Sequence, residues 1–323
     1  MPAPDVDESL QASVSETQQN NSVQGGFAGM SQSLKHAVQP AADDLAGINA
    51  DIQVSESPLG KSTEYPDKYT PSLLHPLSRS DARAALGLQH LEQMRGEDVW
   101  TAYEFSWLNS DGKPLIAGLR LHIPCHSVAM VESKSLKLYL NSYAQTRFET
   151  QAEVLNTLDQ DLSQSFQSPV MVELFEIQQL GAAHGKFPGI CLDEQDVVIT
   201  TYERDPDLLV LDPDKVNVKE SCYTDLFRSL CPVTAQPDWA SISIEYAGPA
   251  IDRGALLKYL VSYRNHQAFH ETTIEQIFSD ILEYCAPTDL SVYGRFVRRG
   301  GLDINPFRST SQDTAPALRL ARQ

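Results

Sequence analysis

Several signatures are missing from this 323-residue chain, and each absence removes a class of function. No apolar run approaches the ~18 residues that crossing a bilayer requires. The first ten residues, MPAPDVDESL, are acidic and carry no apolar core segment, so a secretory leader is not expected. Five cysteines are scattered with no CxxC pair, which excludes a disulfide scaffold or zinc knuckle and fits reduced thiols in the cytoplasm. HExxH is absent, as is any Cys/His cluster with zinc spacing, so no metal is expected. GxGxxG and GxxxxGK[ST] are absent too; Gly60-Lys61-Ser62 lacks the upstream glycine. Positive charge is scarce: 25 Lys and Arg stand against 43 Asp and Glu, a net −18. A surface built to neutralise phosphates along a nucleic acid needs the opposite balance.

What is present divides into a tail and a body. Residues 1–56 hold eight acidic residues, one Lys and a single aromatic, Phe27. That composition cannot bury enough apolar surface to offset the entropy of ordering it, so disorder is expected there. In the body, Val99, Thr101, Tyr103, Phe105 and Trp107 alternate, the turn Asn109–Gly112 follows, and Leu115 to Ile123 alternate again. This predicts a hairpin with one buried face. Val154, Leu158 and Leu162 have helical spacing, and residues 170–177 suit a strand. The second half repeats the scheme: alternation at Ile242, Ile244 and Tyr246, helical spacing from Ile274 to Leu282, and a strand at 291–297. Leu138–Tyr143 matches Lys258–Tyr263 at an offset of 120, and Phe148 and Met171 match Phe269 and Val292 at 121. The pattern predicts two fused copies of a hairpin–helix–helix–strand unit, residues 57–185 and 186–323, with a ligand cleft between them.

The copies differ where chemistry is possible. Glu132-Ser133-Lys134 in the first faces Asp252-Arg253-Gly254 in the second, while His270-Glu271 in the second faces Glu149-Thr150 in the first. One composite site would use both sets; drift of surface residues would look the same. Cys231 and Asp238 end a loop stiffened by Pro232 and Pro237, which suits a nucleophile with a proton donor nearby. Most cysteines are small buried hydrophobes, however. Residues 220–230 also read as a helix whose C-terminus would disfavour a thiolate at Cys231. His270 can shuttle protons and Glu271 can accept two N–H donors from a purine-like edge, although a His-Glu pair at a helix start also serves as an ordinary cap. Lys134, Lys137, Arg298 and Arg299, with Gly300 and Gly301, suit phosphate contacts or a plain basic turn.

These residues carry a family resemblance. The block Glu132–Tyr139 resembles the signature of the NADPH-dependent 7-cyano-7-deazaguanine reductases, the QueF nitrile reductases of queuosine biosynthesis, a tRNA-modification pathway. Cys231–Trp239, Phe269–Glu271 and Arg298–Pro306 resemble further segments of that family, in the same order. The likeness runs from about Leu59 to the C-terminus and leaves the tail outside; Ala235 and the long extension are departures. It implies the family's long form: an α+β fold of two tandem tunnelling-fold units, antiparallel sheets with helices packed on one face, and a homodimer. It also implies chemistry. Cys231 attacks the nitrile to give a covalent thioimide. Asp238 supplies a proton, with His270 a second participant, and Phe269 helps cover the intermediate. Val131, Glu132, Ser133, His270 and Glu271 hold the substrate, while Ser133, Lys134, Arg299 and Gly300 bind NADPH. Which cation reads the 2′-phosphate is left open among Lys134, Lys137, Arg298 and Arg299. The competing expectations are a cysteine-dependent nitrile or amide hydrolase, a zinc-dependent tunnelling-fold enzyme of the GTP cyclohydrolase kind, and a non-catalytic purine-binding module.

Overall fold

The computed structural model describes residues 66–181 and 184–323; the tail 1–56 lies outside the described residues. A short strand β1 (Pro76–Ser78) leads into helix α1 (Arg79–Ala85). The hairpin β2 (Arg95–Leu108) and β3 (Pro114–Pro124) follows, then β4 (Ala129–Val131), α2 (Ser133–Ser142), α3 (Gln151–Phe166) and β5 (Met171–Phe175). After the two-residue β6 (Ile190–Cys191) the plan recurs: hairpin β7 (Asn217–Leu230) and β8 (Pro237–Pro249), helices α4 (Arg253–Ser262) and α5 (His270–Cys285), then β9 (Asp289–Phe296). The last strand, β10 (Leu302–Ser309), pairs with both β9 and β2 and so joins the halves. One eight-stranded sheet results, in the order β5-β3-β2-β10-β9-β8-β7-β6, antiparallel except for β6 on β7. It is the expected α+β architecture with an antiparallel sheet. β1 and β4 form a separate pair.

Each half has its own apolar core between helices and sheet. Leu136, Tyr139, Val154, Leu158 and Leu162 meet Trp100, Phe105, Leu119 and Leu121 in the first. Leu256, Tyr259, Ile274, Ile277 and Ile281 meet Phe227, Ile242 and Ile244 in the second. The spacing in α3 fits this: Val154, Leu158, Leu162 and Phe166 recur every four residues and are its buried positions.

The repeat extends to side-chain detail. The hydroxyls of Tyr139 and Tyr143 lie 2.7 Å apart and Tyr139 donates to Asp161 at 2.8 Å; Tyr259, Tyr263 and Asp280 do the same at 2.8 and 2.5 Å. The register after this block differs from the expected one. Phe148 N–H donates to Leu108 and Ala268 N–H to Leu230, so Phe148 corresponds to Ala268 rather than Phe269. Helices α3 and α5 start at 151 and 270, so Gln151 occupies the place of His270.

Two strand expectations also change, for one reason. Both hairpins carry a bulge, between Ala102 and Phe105 and between Thr224 and Phe227. A bulge shifts the alternation by one residue. The core face of β2 is therefore Trp100, Ala102, Phe105 and Trp107, not Val99, Thr101 and Tyr103. In β7 the buried residues Cys222, Thr224, Phe227 and Ser229 acquire a helix-like three-residue step, and the segment expected to be helical is a strand.

Candidate active site

Because β7 is a strand, Cys231 stands at no helix C-terminus, and the dipole argument against its thiolate falls away. A tight loop holds it: Cys231 N–H donates to Gln236 O at 2.9 Å and Ala235 N–H to Cys231 O at 3.0 Å. Ala235 takes a left-handed φ of 53° to close that loop, a conformation a side chain disfavours. In the first half the corresponding loop opens with Asn109, whose N–H donates to Lys113 O at 3.0 Å, so that loop offers no thiol. Cys231 is buried, at 4% exposure.

Asp238 lies opposite Ser229 on β8 and is equally buried. Its two oxygens meet Arg299 Nε at 3.0 Å and His270 Nε2 at 3.4 Å. His270 opens α5, and its ring stacks on Phe296 with centroids 3.8 Å apart and planes at 6°. Its Nδ1 lies 3.3 Å from Ile304 O. Both ring nitrogens thus face oxygen acceptors. Asp238 and His270 set a carboxyl and an imidazole side by side on the wall of the cleft that also holds the thiol.

Glu271, next on α5, is buried, and desolvation pushes its carboxyl up to about 7; the charge of Asp98 adds to the rise, while His270, a backbone hydrogen bond and Arg79 oppose it. Its acidic neighbour one turn on behaves oppositely. Glu275 sits among Arg79, Arg83 and Arg308, with Oε1 at 2.8 Å from the latter two, and despite full burial these cations draw it down to about 2.

The first half reaches the same cleft through Val131, Ser133 and Lys137. Cys231, Asp238, Phe269, His270, Glu271 and Arg299 line its other side, with Trp100 and Ile304 as apolar walls, and the cleft between them is narrow, about 40 Å³. Burial, and Arg299 after it, lower Lys137; negative charge at Glu132, Asp238 and Cys231 holds it up. Glu132 is placed differently. It caps α2, its oxygens accepting from Lys134 N–H at 2.6 Å and Ser135 N–H at 2.8 Å, and it does not line the cleft. Lys134 is also absent from the lining. Gly300, at φ 60°, backs onto Lys137: a Cβ there would lie 3.5 Å from Lys137 Cδ. Arg298 turns aside to the ring of Tyr103, 4.7 Å from its centroid.

Sequence reasoning missed the Asp238–Arg299 contact and the walls Trp100 and Ile304. Neither has a local signature, since partners 61 residues apart or on different strands meet only in the assembled sheet. No three His, Cys, Asp or Glu side chains stand close enough to share a metal ion among the described residues. None of the described helices is long and apolar enough to cross a membrane.

A sheltered thiol with a carboxyl and an imidazole on the wall of the same cleft is an arrangement able to support nucleophilic chemistry, and it points to the class of enzymes that work through a cysteine. Residues 65–174 match the family described as nitrile reductase, 7-cyano-7-deazaguanine-reductase N-term, and residues 237–315 match QueF-like protein. Curated relatives agree. The NADPH-dependent 7-cyano-7-deazaguanine reductase of Paraburkholderia phytofirmans is 46% identical over 83% of this chain and 98% of its own length. Those of Burkholderia lata, 47% identical over 83% and 98%, and Chromohalobacter salexigens, 46% over 84% and 99%, are similar to the same degree. The chain belongs to the NADPH-dependent 7-cyano-7-deazaguanine reductase family.

Proposed function

We propose that this chain reduces the nitrile of 7-cyano-7-deazaguanine to 7-aminomethyl-7-deazaguanine with NADPH, through a cysteine-bound thioimide, in queuosine biosynthesis. The observation that carries the reading is the composite cleft, where thiol, carboxyl–imidazole pair and buried carboxylate from the second half meet the α2 N-terminus of the first. Cys231 passes its proton to the Asp238–His270 pair as Sγ adds to the nitrile carbon, and the displaced C–N π pair takes a proton from the same pair to give the thioimide. A nitrile is a poor hydride acceptor; the protonated C=N carbon bearing sulfur is a better one. Bound NADPH supplies the hydride, and two equivalents with two protons convert nitrile to primary amine as the thiolate departs. Glu271, as carboxylate, accepts the two N–H donors of the guanine-like edge. Glu132 supports α2 beneath Val131 and Ser133, whose backbone meets the same ring. Phe269 and the walls shield the intermediate from hydrolysis.

The residues suit NADPH. A glycine in the left-handed region at Gly300, beside the cations Arg299 and Lys137, leaves a cradle that a larger residue would strain. Ser133, Lys134, Arg299 and Gly300 would hold it. The reading further takes the two halves to divide near residue 185, the working form to be a homodimer, the setting to be the cytoplasm, and no nucleic acid to bind directly.

The test is direct. Protein mixed with 7-cyano-7-deazaguanine and NADPH is followed at the reduced-nicotinamide absorbance band. Two NADPH oxidised per nitrile, abolished by Cys231→Ala, is the expected result. Ammonia release without NADPH loss would mean a hydrolase, and binding without turnover an inert module.

A further inference from the structure

Trp239 is 40% exposed although it follows the buried Asp238 on β8. Two guanidiniums converge on it. Arg228, its cross-strand partner on β7, lies 5.7 Å from the ring centroid, and Arg264, in the turn after α4, lies at the same distance. Arg264 also approaches the half-exposed ring of Tyr202, at 6.0 Å. In a chain with 43 acidic residues, neither guanidinium meets a carboxylate among the described residues, and Arg228 Nε is buried without a hydrogen-bond partner. Two like charges gathered on one ring repel each other, and a bound anion removes that cost. The ring also borders a groove shared with Gln236, Asp238, Val297 and Arg299. The last three line the Cys231 cleft as well, so groove and cleft meet there.

We propose that this groove takes the adenosine end of NADPH, with Trp239 offering its face to the adenine and Arg228 and Arg264 binding the 2′-phosphate. The inference rests on the reductase reading above and adds the element that separates NADPH from NADH, since the 2′-phosphate is their one chemical difference. An arginine fork suits a phosphate dianion. Two of the four cations that the sequence offered for this role are placed elsewhere: Lys137 lines the cleft with Cys231, and Arg298 covers Tyr103. Arg299 borders the groove but is held by Asp238 and Gln236.

Titration calorimetry with adenosine 2′,5′-bisphosphate and with 5′-AMP tests the assignment without turnover. The native protein binds the bisphosphate at least about tenfold more tightly, as charge-assisted hydrogen bonds require. The pair Arg228→Met and Arg264→Met brings that ratio close to one, and Arg228→Lys with Arg264→Lys restores most of it. Trp239→Ala weakens both probes alike, by about tenfold. No discrimination by the native protein, or a methionine pair that discriminates normally, overturns the proposal. Should the methionine pair fail to fold by circular dichroism, Arg264→Met alone decides in the same way. Mass spectrometry of native protein with 7-cyano-7-deazaguanine alone keeps the two readings apart. A missing Cys231 adduct with probe discrimination intact sinks the nitrile chemistry and supports the 2′-phosphate site. An adduct with no discrimination overturns the site alone.

Discussion

Glu271→Gln is the perturbation that bears most directly on the site, because it sets stability against recognition. The native carboxyl titrates near 7 instead of the ordinary 4.5, chiefly through desolvation. That interval corresponds to ~3 kcal/mol at ~1.36 kcal/mol per pH unit. The folded state holds this proton more tightly than the unfolded state. Its stabilisation is therefore full below pH 4.5 and is lost as pH rises through about 7. Glutamine resembles the protonated carboxyl and cannot ionise, so the variant lacks that loss. Urea unfolding from pH 4.5 to 8 should show the two proteins diverging by ~3 kcal/mol, with the variant the more stable at pH 8. Glu275 does not confuse the result: drawn down to about 2, it contributes stability above 4.5 that is lost toward 2, a separate window. Binding should move the other way. The amide cannot accept both N–H donors, so affinity for 7-cyano-7-deazaguanine falls by ~100-fold. In the native protein, binding below pH 7 should release a proton, visible in calorimetry as a dependence on buffer ionisation enthalpy. Parallel stability curves, or unchanged affinity, would refute the assignment of Glu271 as a desolvated recognition carboxylate.

Other outcomes are expected. Asp238→Asn should leave capture of the nitrile by Cys231 detectable by mass spectrometry while lowering kcat by ~100-fold or more; unaltered turnover would remove Asp238 from proton delivery. Arg308→Met leaves Asp98 and Glu275 short of a buried partner, with Arg308 now at 2.6 and 2.8 Å from them, and should cost about 3–5 kcal/mol in denaturant unfolding. A loss below about 1 kcal/mol would show that Arg79 and Arg83 suffice. Removing residues 1–56 should leave kcat and KM unchanged, since the family match begins at residue 65; a large loss would give the tail a part in the reaction.

Much of this protein is local information. Hairpins announce themselves by alternation and a turn, helices by four-residue recurrence, and the thiol loop by two prolines around a Cys and an Asp; each lies within a few residues of sequence. The duplication and the segments resembling the family were also legible, because they are strings. Assembly decided the rest. A bulge turned two-residue alternation in β7 into a helix-like step, which only cross-strand pairing resolves. Glu132 is nearest in space to its own helix N-terminus, so its carboxylate caps backbone N–H groups instead of facing the cleft. Asp238 gains Arg299 because β8 pairs with β9 and the chain leaving β9 runs beside it, and it gains His270 because α5 starts at the same end of the sheet. Sequence fixes which groups are available and which segments bend or repeat. Burial, and with it the charge state of a carboxyl such as Glu271, exists only once distant segments have displaced water from around it.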